Sequence, residues 1–403
     1  MKRIGNIWSD VLEEGNAIYA LKTGTKYKRK HRAVQKFINE DHTINYDKAK
    51  EYVKPIIEKL NNKTWKHRQP VHKRHLCKNH SSRGKWRDLY IPCLEDHIVA
   101  HMVMQASEKA FARGMYPYCC GSVPDRGIDC IVQNVKRWMQ RDLECRYFVK
   151  LDIRHFFDNI DRDILYKKLC DKIKDKDVLY VFEQIIDSAP IPCPVGYYTS
   201  PWFANLYLED LDWYIVQNLY KERRGKRIKY VRHYLRYMDD MLLIGTSQAD
   251  LFKSVRAIKK YLKDNLGLEI KPQWEIKAIG KHELIDGKWK MKKNTYWCDI
   301  GGYKFCKDAT IMRDGIFLST RRLARKRKYT PHWCMSINSR IGWAKHCDSK
   351  SFMENDIKPY VNIKQTRRLI GNVDKKSKRQ CCSTKCSGVC WQPCDYSKGF
   401  PSD

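Results

Sequence analysis

The chain has 403 residues and a formal net charge of +33, with 79 Lys and Arg against 46 Asp and Glu. Because 42% of the residues are hydrophobic and 12% are aromatic, a chain of this length can bury a large core, which excludes a globally disordered protein. No run of 18 apolar residues occurs and the N-terminus has no apolar signal-peptide core, so we expect neither a membrane-spanning nor a secreted protein. The expected location is the cytoplasm.

The positive charge is concentrated at the two ends of the chain. Residues 1–90 hold 22 Lys and Arg against 9 acids, residues 321–403 hold 19 against 6, and the residues between hold 38 against 31. Such an excess repels itself unless a polyanion neutralises it, and the usual polyanion in a cell is nucleic acid. We therefore expect two basic arms that grip a phosphate backbone around a nearly neutral centre, in preference to a merely soluble basic surface.

The predicted elements, in chain order, begin with a helix around residues 52–60, a basic loop or hairpin over 63–87, a packed helix over 94–111, a strand at 146–152 and a helix capped by Asp161. Next come a helix with Ser200 as N-cap and Pro201 as its first residue, two strands within 228–245 that meet at 238–240, and a helix over 251–266. Strands at 296–305 and 310–318, a basic run at 321–328 and a helical region to about residue 373 follow.

Histidines and cysteines raise the question of metal binding in two segments. Four histidines and one cysteine fall within residues 67–80, but their spacing matches no standard zinc pattern and they lie among positive charges, so we favour contact with RNA. At the C-terminus a ladder recurs every four residues, formed by Cys382, Cys386, Cys390 and Cys394. Four thiolates can bind Zn²⁺, although this spacing is not the usual pair of knuckles. The alternative is a disordered or partner-ordered basic tail.

The remaining cysteines, out of 17 in the chain, are mostly scattered through apolar stretches. A free thiol in such a position behaves as a small buried hydrophobe. A disulfide framework fits poorly with a large chain that has no export signal, so we expect free thiols.

The sequence Tyr237-Met238-Asp239-Asp240 stands at a predicted strand turn, with Asp152 at the end of an earlier strand. Adjacent carboxylates repel one another unless cations lie between them. Three acids converging from two strands can hold two Mg²⁺ ions roughly 4 Å apart, which clamp the attacking and leaving oxygens of a phosphoryl transfer. An Asp-Asp pair in a turn also occurs without metal, so this motif alone does not decide for catalysis.

Five motifs in order resemble those of the reverse transcriptase family, over roughly residues 50–370. They are FVKLDIRHFFDNID at 148–161, VGYYTSPWFANLYL at 195–208, YMDD at 237–240, GLEIK at 267–271 and GGYKF at 301–305. The resemblance implies an α+β right-hand polymerase with an antiparallel palm sheet and a helical thumb. It places the N-terminal segment and fingers at 1–145, the palm at 146–304 with a finger insertion at about 171–195, the thumb at 305–375 and a Cys-rich basic tail at 376–403.

The same resemblance implies roles for individual residues in RNA-directed DNA synthesis. The catalytic acids are Asp152, Asp239 and Asp240, which together with the Ile153 carbonyl would bind two Mg²⁺ ions, for which Mn²⁺ can substitute. The residues that would contact the incoming dNTP are Lys85, Arg87, Phe157, Val195, Gly196 and Lys271. The residues that would contact primer or template are Tyr237, Pro201, Gly301, Gly302 and Tyr303. Phe157 would exclude a 2′-hydroxyl by its bulk, and Lys271 would act as general acid. An ordinary core phenylalanine and an exposed lysine are the respective alternatives.

Within the family the chain is most similar to the reverse transcriptases of bacterial and phage diversity-generating retroelements. The runs that carry this similarity lie at 122–129, 197–205, 338–346 and 357–364. We find no Val-Thr-Gly typical of retron members, and the roughly 30 residues after Val373 leave little room for a maturase region. The similarity implies mutagenic copying within a prophage-type element, a structured template RNA, and a small basic oligomeric accessory protein as partner. Rival hypotheses are a defence-associated or orphan bacterial reverse transcriptase, and an RNA-binding, maturase-like protein with an idle polymerase site.

One position departs from that group. Its members usually carry Gln after the serine of the helix motif, whereas this chain has Pro201, as conventional reverse transcriptases do. Because the position borders the templating base, the departure bears on misincorporation opposite template adenine. Val195 replaces the Gln typical of retroviral enzymes and removes a polar contact to the nucleotide, which favours error-prone copying.

Overall fold

The computed structural model describes residues 3–26, 28, 31–39, 43–77, 85–285 and 288–379. Within these ranges the helices are α1 (Trp8–Leu12), α2 (Glu14–Thr25), α3 (Arg32–Gln35), α4 (Tyr46–Asn61), α5 (Leu94–Ala112), α6 (Gly127–Arg141), α7 (Arg162–Lys172), α8 (Lys176–Asp187), α9 (Ser200–Tyr207), α10 (Glu209–Gln217), α11 (Gln248–Leu266), α12 (Asp314–Arg325), α13 (Pro331–Gly342), α14 (Lys350–Phe352) and α15 (Ile363–Arg379). The strands are β1 (Val71–Cys77), β2 (Lys85–Ile91), β3 (Tyr147–Asp152), β4 (Tyr220–Arg223), β5 (Lys226–Lys229), β6 (His233–Tyr237), β7 (Asp240–Gly245), β8 (Ile276–Ala278), β9 (His282–Ile285), β10 (Lys288–Met291), β11 (Cys298–Ile300), β12 (Tyr303–Phe305) and β13 (Thr310–Met312). The predicted α+β class is confirmed.

A four-stranded antiparallel sheet with the order β6-β7-β3-β8 stands at the centre of the fold. Side chains alternate between its two faces, as the period of two in a strand requires. In β7, Met241 and Leu243 join one core, whereas Leu242 and Ile244 join the other. Burying each such side chain contributes about 1.5–3 kcal/mol, so the sheet needs cover on both faces.

Each face of the sheet is covered by a different part of the chain. The N-terminal helices, α5 and the helices α7 to α11 bury one face, and α6, the three-stranded sheet β11-β12-β13 and the helices from α12 onwards bury the other. The C-terminal part is thus largely helical, as the resemblance implied. No helix in the described part of the chain is long and apolar enough to cross a bilayer.

Two predictions that depend on neighbouring residues in the sequence are confirmed. Asp161 caps α7, because its side chain accepts a hydrogen bond from the Ile164 amide at 2.9 Å. The basic segment forms the hairpin of β1 and β2. The predicted strand at 310–318 is wrong beyond Met312, because α12 begins at Asp314 and buries Thr320 and Ala324 on its inner face.

The prediction that Ser200 caps α9 is also wrong. The helix begins at Ser200 itself, and the preceding Thr199 occupies the N-cap position without a side-chain hydrogen bond to the helix. The Ser200 hydroxyl donates to the Pro194 carbonyl at 2.8 Å instead. The Ser200 side chain is therefore directed at the preceding proline-rich loop, and no side-chain hydrogen bond caps the helix.

The predictions for the histidines and cysteines have different outcomes in different segments of the chain. The side chain of His67 is 2% exposed and stacks on Tyr197, with ring centroids 5.5 Å apart, so the prediction of RNA contact is wrong for this residue. The eleven cysteines whose side chains are described are free thiols, as predicted. The tail cysteines Cys382, Cys386, Cys390 and Cys394 lie outside the described residues.

Candidate active site

Two strands bring the aspartates together. Asp152 ends β3 and faces Asp240, the first residue of β7, directly across the ladder. Tyr237 ends β6 and pairs with Asp240, so Met238 and Asp239 form a two-residue turn between β6 and β7. The order of the strands therefore places Asp152 beside Asp239 and Asp240, which lie almost 90 positions later in the sequence, at one edge of the sheet.

The turn itself is strained. Met238 has a φ of +56°, a left-handed conformation that costs a non-glycine residue on the order of 1–3 kcal/mol. A Cβ added to Gly121 would lie 2.7 Å from the Met238 amide nitrogen, so a neighbouring backbone segment runs tightly beneath the turn. Strain of this kind persists only where the surrounding structure holds it.

The carboxylates at the turn have raised proton affinities. Burial raises the pKa of Asp239, and the neighbouring Asp152 and Asp240 raise it further. Burial also raises the pKa of Asp240, with Asp152 adding to the effect, although nearby cationic side chains oppose it. A bound cation would stabilise the ionised forms of both groups.

Asp152 supplies the observation that best fits a metal. Its Oδ1 atom is buried and has no hydrogen-bond partner among the described residues, and such an orphaned acceptor is costly unless a cation or donor reaches it. Its Oδ2 atom lies 2.6 Å from the ammonium of Lys271, so a positive charge already stands beside this carboxylate. Carboxylate oxygens are the ligands that Mg²⁺ prefers, so the donor set suits this ion.

The aspartates do not form a closed cage. Within the part of the chain that the structure describes, two other groups of three potential metal ligands have their ligand atoms within 4.8 Å of one another, and neither includes Asp152, Asp239 or Asp240. The chemistry of the donors, rather than a preformed coordination shell, therefore supports metal binding at the turn.

The backbone beside Asp152 fixes two further predicted residues. Ile153 is buried and bridges to Ile270 in antiparallel fashion. The Lys271 amide donates to the Asp152 carbonyl at 2.8 Å, so both the backbone and the side chain of Lys271 meet Asp152. The two motifs that contain these residues are therefore adjacent in space as well as ordered in sequence.

Phe157 lies in a short 3₁₀ helix, Phe157–Asn159, a few residues beyond Asp152. Its ring is partly buried and lies 5.3 Å from that of Phe156, which is 3% exposed and belongs to the core. The two neighbouring phenylalanines thus differ in access to solvent, as a contact residue and a core residue should.

The predicted nucleotide loop meets the β1-β2 hairpin. The Val195 carbonyl accepts a hydrogen bond from the Tyr90 amide at 3.0 Å. Gly196 has a φ of +117°, and a Cβ at this position would lie 2.6 Å from the Tyr90 carbonyl oxygen. Only glycine satisfies both the backbone conformation and the close approach.

Gly196→Ala should therefore lower both stability and nucleotide affinity. The clash with Tyr90 would push the loop away from the hairpin, so we expect a lower Tm and a KM for dNTP raised by at least about tenfold. Gly225→Ala is the matched control, because Gly225 also has a positive φ, +70°, but an added Cβ meets no described residue within 4 Å. Equal effects of the two substitutions on KM would show that the loop of Val195 and Gly196 is not part of the nucleotide site.

Arg87 projects from β2 into solvent. Its side chain is exposed and, among the described residues, makes neither a hydrogen bond nor an ion pair, so the guanidinium is available to an anion. Lys85 begins the same strand, and its side chain lies outside the part of the chain that the structure describes. Among the described side chains, Arg87 makes no direct contact with the aspartates.

The residues predicted to contact primer and template fall in three places. Tyr237 flanks the aspartate turn, and Pro201 is in the first turn of α9. Gly301 and Gly302, with φ of +61° and +86°, form the turn between β11 and β12, and a Cβ at Gly302 would lie 2.5 Å from the Trp343 ring. The Tyr303 hydroxyl donates to the Trp343 carbonyl at 2.9 Å. Gly302 and Tyr303 therefore also join the three-stranded sheet to the C-terminal helical part, at Trp343.

Arg236 supports the turn from inside the protein, and the motifs did not reveal it. Its guanidinium forms a two-pronged ion pair with Asp212, Nε to Oδ1 at 2.7 Å and Nη2 to Oδ2 at 2.6 Å, and both side chains are fully buried. Nη1 donates to the Met238 carbonyl at 3.0 Å and to the Asn205 side-chain oxygen at 3.1 Å. The available signal was an arginine at a position where strand alternation predicts an inward-facing side chain.

Comparison with known proteins bears on the same residues. The sequence profile described as reverse transcriptase (RNA-dependent DNA polymerase) matches residues 71–274, about half of the chain. Over 179 residues the chain is 28% identical to the group II intron-encoded protein LtrA of Lactococcus lactis subsp. cremoris, a match that covers 42% of this chain and 29% of that protein. The chain thus spans under a third of that relative's length.

Two further proteins are similar over longer stretches. Over 244 residues the chain is 26% identical to the retron Ec73 reverse transcriptase of Escherichia coli, which covers 57% of this chain and 71% of that protein. The structure of apo telomerase from Candida tropicalis aligns with a TM-score of 0.47 at 10% identity, covering 77% of this chain and 62% of the other. The part of this chain that the reverse transcriptase profile matches contains Asp152, Asp239, Asp240 and Lys271.

Proposed function

The chain belongs to the reverse transcriptase (RNA-dependent DNA polymerase) family, and from this premise we propose that it is an RNA-directed DNA polymerase that copies a template RNA into cDNA from dNTPs. The observation that carries the proposal is Asp152 facing Asp240 across adjacent strands, with Asp239 in the turn beside them. Three half-buried carboxylates at one sheet edge suit phosphoryl transfer, in which positioning and charge neutralisation supply most of the catalysis.

The metal ions of this proposal are two Mg²⁺, for which Mn²⁺ can substitute. When bound, they would activate the primer 3′-hydroxyl and neutralise charge on the leaving pyrophosphate. The three aspartates and the Ile153 carbonyl would hold them, and the unpartnered Oδ1 of Asp152 supports this assignment.

The chain's own cations would act on the triphosphate. Arg87 and Lys85, on the hairpin, would bind the phosphates. The guanidinium of Arg87 supports this role, because it is exposed and has no partner among the described side chains. Lys271 would donate a proton to the pyrophosphate as it leaves, because its ammonium already stands 2.6 Å from Asp152. Val195 and Gly196 would lie against the nucleotide, and the close contact with Tyr90 would hold them there.

The division of the chain follows from the same proposal. The fingers would comprise residues 1–145, the palm 146–304 with an insertion at about 171–195, the thumb 305–375 and the tail 376–403. Tyr237, Pro201, Gly301, Gly302 and Tyr303 would then line the path of primer and template. The contact of Tyr303 with Trp343 would couple the end of the palm to the thumb.

Phe157→Ala should admit ribonucleotides. Removing the ring would open space for a 2′-hydroxyl, so the ratio of kcat/KM for rNTP to that for dNTP should rise by at least about tenfold. Phe156→Leu is the control, since this residue is 3% exposed and should alter stability without altering the ratio. An unchanged ratio in Phe157→Ala would show that Phe157 does not select the sugar.

We further propose error-prone copying directed at template adenine, as in diversity-generating retroelements. The runs at 122–129 and 197–205 and the aliphatic Val195 support this, whereas Pro201 departs from the group. The cDNA copied from a defined RNA should carry errors opposite adenine at least about tenfold more often than opposite the other bases. Pro201→Gln should increase this bias. Equal error rates at all four template bases would exclude the adenine-directed form.

The proposal also includes partners and leaves defined rivals. A template RNA and a small basic oligomeric accessory protein would act with the chain, in a bacterial or phage setting. A defence-associated or orphan reverse transcriptase would share every catalytic residue, so the sequence of the cDNA product distinguishes it. A maturase-like RNA-binding protein with an idle site would incorporate no dNTP. Zinc in the tail would require Cys382, Cys386, Cys390 and Cys394, and by elemental analysis a protein truncated at Lys378 should then contain one zinc fewer than the full chain.

A further inference from the structure

Three potential metal ligands meet at the junction between the central sheet and the C-terminal part. His282 begins β9, and Cys306 and Asp308 lie in the loop between β12 and β13. Asp308 Oδ1 lies 3.0 Å from His282 Nδ1 and 3.0 Å from Cys306 Sγ, and Sγ lies 4.0 Å from Nδ1. One nitrogen, one sulfur and one oxygen from two separate segments therefore surround a single point.

These separations suit one metal in particular. Tetrahedral Zn²⁺, with bonds of about 2.0–2.3 Å, holds its ligand atoms roughly 3.3–3.7 Å apart, and imidazole, thiolate and carboxylate are its usual ligands. Small shifts would bring the observed 3.0, 3.0 and 4.0 Å into that range. The His282 amide donates to Asp308 Oδ2 at 2.8 Å, which turns Oδ1 toward the other two ligands.

A second cluster of the same composition shows what disfavours a metal. Asp142, Cys145 and His233 also lie close together, but Asp142 Oδ2 is held by the Arg232 guanidinium at 2.7 Å as well as by His233 at 2.8 Å. A cation placed there would meet a fixed positive charge. Among the described residues, no lysine or arginine makes an ion pair with Asp308, whose partners are His282 and Cys306.

We propose that His282, Cys306 and Asp308 bind one Zn²⁺, with water as the fourth ligand. His282 and Asp308 are 24% and 34% exposed, so solvent reaches the fourth position. On binding, the Cys306 thiol releases its proton to solvent and the imidazole proton moves from Nδ1 to Nε2, so one proton leaves for each ion bound. The ion would join the β9-β10 hairpin to the β12-β13 loop, next to the hydrogen bond from the Lys307 amide to the Gly280 carbonyl.

The test is zinc content, measured by elemental analysis of the full-length chain in which Cys381, Cys382, Cys386, Cys390 and Cys394 are replaced by Ser. These substitutions remove the tail thiols, which could bind zinc at a second site. We expect about one zinc per chain in this parent protein and in Cys145→Ser, and its loss in Cys306→Ser and in His282→Gln. Zinc absent from the parent, or retained in both site variants, would overturn the proposal.

Cobalt provides a second readout that does not depend on activity. In the metal-free parent, Co²⁺ should give a thiolate-to-cobalt charge-transfer band and the strong visible absorption of four-coordinate cobalt. The band should disappear in Cys306→Ser, whereas Asp308→Asn should weaken binding but keep the charge-transfer band. If Cys306→Ser fails to fold, His282→Gln and Asp308→Asn still decide, since unchanged spectra in both would place the cobalt elsewhere.

Discussion

Arg236→Ala should destabilise the protein by roughly 3–5 kcal/mol, the usual cost of leaving one member of a buried ion pair without its partner. Arg236 and Asp212 are both fully buried, and the Tyr234 hydroxyl, which donates to Asp212 at 2.7 Å, cannot compensate for the missing charge. The free energy of unfolding, from urea titration followed by circular dichroism, measures the effect. Arg227→Ala is the control, because Arg227 and Glu222 are 71% and 68% exposed and such pairs contribute little.

The same network should matter for catalysis. Arg236 donates to the Met238 carbonyl at 3.0 Å and so holds a turn whose φ of +56° is unfavourable for methionine. Arg236→Lys keeps the charge but loses the planar fork, so kcat should fall by about tenfold or more while KM for dNTP changes little. A protein with Arg236→Ala that unfolds at the wild-type urea midpoint would show that this network does not stabilise the fold.

Asp239→Asn should abolish DNA synthesis without harming the fold. Loss of a charged metal ligand removes several kcal/mol of transition-state stabilisation, so the rate should fall by roughly a thousandfold or more. Burial and the neighbouring carboxylates raise the pKa of Asp239, which shows that its ionised form is disfavoured in the folded protein. The Tm should therefore stay the same or rise, and this separates a catalytic role from a structural one.

A matched substitution controls for the loss of one negative charge. Asp264 is an exposed residue of α11 and makes no ion pair among the described residues. Asp264→Asn should leave both the rate of DNA synthesis and the Tm unchanged. A comparable loss of synthesis in this variant would mean that net charge, rather than metal binding by Asp239, explains the result.

Sequence reasoning located the aspartates because their signals are local. The aromatic and apolar residues of 228–245 predict two strands, and the pair of acids between them predicts the turn, so the pairing of Asp152 with Asp240 follows once the strands are adjacent. The contact of Gly196 with Tyr90 was beyond the same reasoning, because it joins segments about 100 residues apart and depends on a backbone approach.

Arg236 shows a second limit. Its main partner, Asp212, lies on a helix 24 positions earlier, and no periodicity links the two residues. The prediction of the helix cap was wrong for a related reason, since the helix begins one residue earlier than predicted and the Ser200 hydroxyl donates to the Pro194 carbonyl of the loop. Charged groups buried by tertiary packing, and polar groups with a choice of partners, are set by contacts that a linear pattern does not contain.

The central claim is that this chain copies RNA into DNA at the site formed by Asp152, Asp239 and Asp240. Its most direct test is extension of a DNA primer on a defined RNA template by the purified wild-type protein, with one dNTP at a time. We predict extension that requires a divalent cation, favours dNTP over rNTP, and is absent in Asp239→Asn. No extension by the wild type, or equal extension by wild type and Asp239→Asn, would contradict the claim.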